Sequence, residues 1–285
     1  MSTPDPTLSG RTPMAMLRPR RLRVEGIVSI AVLLGVWAIG AGVTEDYIIP
    51  PVIAVGETML GIVTSTDLLA HAGTTILRVA IGLVVSFLIG TALGLGMGAS
   101  RRFDGFSMPW LQISQGVPSL SWVVIAIIWF QSVELRIAFI VMIVTLPGFA
   151  FQALDSYRAV PRELRDMARS LRPRRFELFR TVTWPSILPD LLTAWKVNLG
   201  LGTRVVLIAE LVGASVGVGY QLLVQQQTFD MAGVVAWTGV LVLFVLIVQH
   251  LISRVERRLL RYRPAAVPDQ DESAAAGRKR EPAGA

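Results

Sequence analysis

The chain has 285 residues, is 53% hydrophobic and only 16% charged, and has a mean hydropathy of +0.58, against about 25% charged residues in ordinary soluble domains. Its apolar residues run in uncharged blocks close to the roughly 20 residues needed to cross a ~30 Å hydrocarbon layer, which excludes a soluble enzyme and a disordered protein. Cysteine is absent, only His71 and His250 are present, and 25 of the 27 basic residues are arginine, for a net charge of +7; this excludes disulfides, thiolate metal sites and cysteine nucleophiles, and reports topology and leaflet charge rather than nucleic-acid binding.

Six spans are predicted. The first runs from Val24 or Ile27 to Val43, too long and too poor in small-residue cleavage signals for a signal peptide. The second covers Ile76 to Ala99, and the third Met108 to Phe130 with Pro109 and Pro118 inside it. The fourth covers Ile137 to Leu154, the fifth Ile187 to Leu211, and the sixth Met231 to Ile252. Arginines cluster before span one, between spans two and three (Arg101, Arg102), and after span six. Eight more lie between Arg158 and Arg180. Residues 44–73 and 210–232 have none, which by the positive-inside rule puts both termini and the arginine-rich loop in the cytoplasm. The expected fold is therefore an all-α membrane protein with six transmembrane helices and a long cytoplasmic loop between spans four and five. Residues 1–23 form a basic cytoplasmic segment, 24–262 the membrane domain, and 263–285, rich in Ala, Pro and mixed charge, a disordered cytoplasmic tail.

Span two carries Gly82, Ser86, Gly90, Gly94 and Gly98 at four-residue spacing, a face that lets a neighbouring helix approach closely. The run Gly94 to Gly98 has no Lys-Ser/Thr and no preceding strand, so helix packing is favoured over phosphate binding. In the loop, Tyr157, Val160, Leu164, Met167, Ala168 and Leu171 recur at helical spacing and give one apolar face. Arg158, Arg162, Arg165, Asp166, Arg169 and Arg172 occupy the other faces. Pro173 ends that helix, and Phe176, Phe179 and Val182 begin a second apolar stripe. Such faces need a cover, either the anionic inner leaflet or a groove on a cytosolic protein.

The run Asp166-Met167-Ala168, then Arg172, then Val182-Thr183-Trp184-Pro185, resembles the EAA loop of membrane permease subunits of bacterial ATP-driven importers. Tyr47 to Pro51, Arg78-Val79-Ala80-Ile81-Gly82, Ile128-Trp129-Phe130, and Ala209-Glu210 followed by Gly217-Val218-Gly219 resemble the nitrate, sulfonate and taurine branch of that family. Together these features span about residues 25–260. Asp166 stands for the family's Glu, Met167 for Ala, Arg172 for Gly and Trp184 for Leu, so Arg172 and Pro173 must turn the chain without the usual glycine.

The resemblance implies a permease subunit, in the bacterial plasma membrane, of an importer for a small solute, with a nitrate-, sulfonate- or taurine-like anion favoured. It implies a homodimer, cytosolic ATPase subunits and an extracytoplasmic solute-binding protein, besides membrane lipid. It implies no cofactor, no metal and no catalytic residue on this chain, because ATP is hydrolysed on a separate subunit. The coupling loop, about residues 155–185, would act through Leu164, Asp166, Met167, Ala168, Arg169, Leu171, Arg172, Val182 and Pro185. A secondary transporter or a non-transporting membrane scaffold are the alternatives; the first is expected to show repeated halves and paired intramembrane charges.

Charges inside spans are candidate functional residues. Lys196 lies either about 15 Å deep at 1.5 Å per residue or at the cytoplasmic edge, its ammonium reaching water. Arg204 is expected to pair with Glu210, with the next helix, or with an anion in the translocation pathway, and Arg204 and Glu210 are the candidate pathway residues.

Overall fold

The computed structural model describes residues 21–161, 163, 164, 167, 170 and 174–259. The described part is helical, and among these residues there is no strand. Helix α1 spans Arg21–Val43, α2 Val52–Thr64, α3 Thr66–Ala99, α4 Arg101–Gly116, α5 Ser119–Trp129 and α6 Val133–Ala159. A four-residue helix, Arg175–Leu178, and a π turn, Phe179–Thr183, lead into α7, Trp184–Gly213; α8 spans Val218–Gln227 and α9 Met231–Leu259. The tail and most of the N-terminal basic segment proposed from the sequence lie outside the described residues.

Five helices, α1, α3, α6, α7 and α9, are long and apolar enough to cross a membrane, and α4 with α5 makes a sixth if counted as one span. The predicted third span is therefore not a single helix: it bends by 98° between Gly116 and Ser119. Pro118 is the cause. Its ring crowds the preceding residue out of the α region, and Val117 is extended, with φ −78° and ψ 127°. Pro109, suspected equally from the sequence, sits inside α4 without breaking it.

The second span also differs. It starts at Thr66, ten residues before the expected Ile76, because the Ser65 side chain accepts from the Leu68 N–H and caps the helix, with Asp67 in the first turn. A side-chain acceptor and a carboxylate at this end offset the unpaired amides and the dipole. Helices α2 and α8, both short, lie outside the six expected spans.

The small-residue face of α3 packs against α6 along its length. A Cβ on Gly82 would collide with the Val141 side chain, and one on Gly90 would lie 2.7 Å from the Leu146 carbonyl oxygen. Gly94 faces the Ala150 backbone and Gly98 the Tyr157 ring. Both series of numbers ascend together, so α3 and α6 run parallel. Between helices in lipid, van der Waals contact replaces the hydrophobic drive, and glycine permits the closest contact. α7 completes this core: Gly202 meets Leu83, and Val79, Leu83, Ile140, Val141, Phe149, Leu199 and Val206 form one buried cluster. A second cluster joins α2, α8 and α9 through Val55, Ile62, Val218 and Trp237. α1 lies at the edge, packing Trp37 against the second cluster, where its indole N–H donates to the Pro50 carbonyl at 3.0 Å. Its apolar surface is uncovered by this chain, as suits a lipid-facing helix.

Candidate functional site

At the end of the bundle opposite the 160–183 segment, four elements converge on one ion cluster. Glu210, in the last turn of α7, is fully buried. The Arg78 Nη1 of α3 donates to Glu210 Oε1 at 2.7 Å, and the same nitrogen donates to the Val216 carbonyl at 2.7 Å. The Thr75 hydroxyl lies 2.8 Å from Glu210 Oε2, and the Gly219 N–H, opening α8, donates to that oxygen at 2.9 Å. The Val218 N–H donates to Thr75 Oγ1 at 2.8 Å, and the Gly217 N–H to His71 Nδ1 at 3.1 Å. The other side of the Arg78 fork holds Glu134 in α6 bidentately, Nε to Oε2 at 3.0 Å and Nη2 to Oε1. A carboxylate taken out of water is costly unless paired and hydrogen-bonded; here the pairing is complete.

Local sequence explains the cluster. Gly217 has φ +131°, a backbone state that side chains rarely adopt, and a Cβ there would run into the Glu210 carboxylate. Glycine is the residue that tolerates both demands. Gly219 lies equally close to the Glu210 side chain and the Leu207 carbonyl. Two runs singled out separately in the sequence, Arg78 to Gly82 and Ala209-Glu210 with Gly217-Val218-Gly219, are thus the two halves of one contact. Nearby, Arg136 reaches the last carbonyls of α7 through Gly213 at 3.5 Å, and its Nε is buried without a hydrogen-bond partner.

The two candidate pathway residues separate. Glu210 is paired with Arg78, which removes one of the three partners expected for Arg204. Arg204 projects from a different, exposed face of α7 into a groove of about 390 Å³ between α7 and α9. Lys196 meets Glu256 of α9, both side chains about a quarter exposed at 28% and 27%. It is paired across the helices rather than isolated. His71 binds the Gly217 amide, while His250 is exposed on α9.

At the other end, α6 stops at Ala159, and Val160 turns extended (φ −60°, ψ 120°) ahead of Pro161. The expected apolar face starting at Tyr157 is therefore broken: Tyr157 belongs to α6 and lies on Gly98, and Val160 is buried. Beyond the break Leu164 and Met167 are exposed, at 44% and 68%, and Phe176 at 71%. Leu164, Val182 and Pro185 line a groove of about 400 Å³ between the end of α6 and the start of α7. Asp166, Ala168, Arg169, Leu171 and Arg172 lie outside the described residues. The π turn ends where the Trp184 N–H donates to the Phe179 carbonyl, just before Pro185, which has no N–H to continue the regular ladder.

Sequence reasoning missed the charges that matter most at the first end. Arg78 stands inside the expected second span, near its start, and is read there only as part of a motif, not as a buried charge. Glu134 and Arg136 fell in a presumed loop.

The family model for the binding-protein-dependent transport system inner membrane component matches residues 86–261. Curated relatives include the putative aliphatic sulfonates transport permease protein SsuC of Bacillus subtilis, 26% identical over 86% of this chain and 91% of that protein. The taurine transport system permease protein TauC of Escherichia coli is 26% identical over 82% and 87%. The nitrate import permease protein NrtB of Synechocystis is 26% identical over 72% and 82%. Among solved structures, an inward-facing form of the MetNI methionine ABC transporter matches with a TM-score of 0.56 at 17% identity, covering 65% of this chain and 94% of that one, which supports the fold. Permeases of this kind are multi-pass membrane subunits of importers, and ATP hydrolysis takes place on a separate ATPase subunit. With more than half its length matched, this chain belongs to the family of binding-protein-dependent transport system inner membrane components.

Proposed function

We propose that two copies of this chain form the translocation pathway of an ATP-driven importer for a small anion delivered by an extracytoplasmic binding protein. The 155–185 segment docks a cytosolic ATPase. The observation that carries this reading is the uncovered apolar surface at Leu164, Met167 and Phe176, beside the groove between α6 and α7. Those two helices supply most of the core against α3, so force applied to the segment joining them is felt by the whole bundle. Asp166, Ala168, Arg169, Leu171 and Arg172 take the coupling roles that the resemblance implies. The arginine distribution supports a cytoplasmic side for this segment and both termini, with 24–262 as the permease domain and 263–285 as a tail.

Relatives named for sulfonates, taurine and nitrate support an anionic solute. Arg204 is the residue of this chain that would attract it. Driving an inward/outward equilibrium from 1:99 to 99:1 takes about 5.5 kcal/mol, so the docking surface must hold its partner in both states.

Replacing Leu164 or Phe176 by Asp puts an unpaired carboxylate into the proposed contact, at a cost of several kcal/mol, or orders of magnitude in affinity at 1.4 kcal/mol per decade. Both variants are expected to insert normally, to lose the ATPase on co-purification and to stop transport. Glu163→Gln, an exposed change next to Leu164, is expected to keep all three. ATPase binding and uptake retained in both Asp variants would refute docking through this segment.

A further inference from the structure

Arg204 is a cation with no ionic partner among the described residues. The ion pairs among the described residues join Arg78 with Glu134 and Glu210, Arg158 with Asp104, and Lys196 with Glu256. None includes Arg204. It lies nine residues before Gly213, the end of α7, hence about 13 Å along the helix axis from that end. That is close to half the ~30 Å hydrocarbon thickness. Ionisable residues at such depth are rare and face an interior or a water-filled cavity.

The groove around it has a definite character. On α9 its far wall is Leu241, Val242, Val245 and Leu246, flanked in sequence by Thr238 and Gln249; on α7 it is lined by Thr203 and by Gly200, one turn before Arg204. A Cβ on Gly200 would meet nothing within 4 Å. Packing within this chain therefore does not call for glycine there, although glycine is disfavoured in a helix interior. What its missing side chain provides is open space beside the guanidinium.

We propose that this groove binds an anion carrying an apolar group, with a sulfonate or carboxylate head on Arg204 and a short hydrocarbon portion against Leu241, Val245 and Leu246. The planar guanidinium fork matches an oxyanion with two parallel hydrogen bonds. The apolar wall gains from each methylene it covers, about fourfold in affinity per fully buried group, whereas a bare inorganic anion leaves that wall unused. A phospholipid offers the same chemistry, but its headgroup belongs at the membrane surface rather than at this depth, so the occupant is the solute. This deepens, and rests on, the reading of Arg204 as the anion-attracting residue of the pathway.

The chain has no cysteine, so Val242→Cys, a half-exposed wall position, gives a single reporter thiol. The full-length chain is placed in nanodiscs of phosphatidylcholine alone. Reaction with the anionic sulfonatoethyl and the cationic trimethylammonioethyl methanethiosulfonates is measured, each normalised to a free thiol. The anionic reagent is expected to win by about tenfold, the charge pair contributing roughly one decade, and Arg204→Gln should bring the two to parity. Butanesulfonate should protect the thiol at a concentration at least about tenfold below that of nitrate, given the per-methylene gain. Equal protection by nitrate would overturn the apolar-anion class while leaving the anion reading standing. An absent charge preference, or one indifferent to Arg204→Gln, would overturn the anion reading itself. No reaction with either reagent would mean that solutes do not reach the groove, which overturns the site. If phosphatidylglycerol added to the nanodiscs protects as butanesulfonate does, the occupant is a lipid headgroup and the solute assignment fails.

Discussion

Six residues apart on α7, Glu210 and Arg204 have opposite surroundings. Glu210 is fully buried, and its oxygens are engaged by Arg78, Thr75 and the Gly219 amide. Arg204 is exposed in a groove whose α9 wall is mainly hydrocarbon, with no ionic partner among the described residues. A saturated buried charge holds helices in register. Arg204, about two turns further from the helix end, has no such ionic partner among the described residues. One helix thus carries a structural charge at its end and, in its middle, the charge proposed to serve the pathway, and the difference is set by neighbours rather than by residue type.

The sharpest way to break that contrast is Glu210→Ala. It leaves Arg78 half paired and strands the Thr75 hydroxyl and the Gly219 amide, and removing one partner of a buried pair costs about 3–5 kcal/mol. The purified protein should show a large drop in thermal unfolding midpoint or fail to accumulate in the membrane. A midpoint equal to that of the unsubstituted chain would show that the cluster does not hold α3 to α7. Gly90→Ala comes next, since its Cβ would sit 2.7 Å from the Leu146 carbonyl; overpacking of this kind costs about 1–3 kcal/mol, visible as a smaller fall in the same midpoint. Smaller again is Glu134→Gln. Glu134 is 65% exposed although it grips the same guanidinium, and exposed pairs contribute about 1 kcal/mol or less. If Glu134→Gln destabilised as much as Glu210→Ala, exposure would not be what separates the two carboxylates.

Much of this architecture is legible in the chain. The glycine spacing of α3 predicts a close helix contact, and that face lies on α6. The uncharged blocks locate five spans because hydrocarbon length is a strong constraint. The break at Pro118 and the one at Pro161 are harder to read. Proline inside a membrane helix is sometimes tolerated, as Pro109 is here, and tertiary contacts decide which one bends the chain. The ion cluster is half visible: both motifs stand out, but pairing Arg78 with Glu210 is a tertiary contact between helices 132 residues apart in sequence, which no local pattern encodes. Glu210 is only one of three partners the sequence allows Arg204, and at 3.6 residues per turn a six-residue spacing already sets the two about 120° apart around α7.

The most direct measurement takes Arg204→Gln through two assays on one preparation, thermal unfolding of the purified chain and anion uptake by the assembled transporter. Because Arg204 has no ionic partner among the described residues, the unfolding midpoint should stay within the scatter of the unsubstituted protein, as surface changes away from special features do, within about 0.5 kcal/mol. The Michaelis constant for uptake should rise severalfold through loss of a charge-assisted contact. A midpoint that falls as it does in Glu210→Ala, with uptake per folded complex unchanged, would make Arg204 a second structural charge and contradict the division of labour along α7.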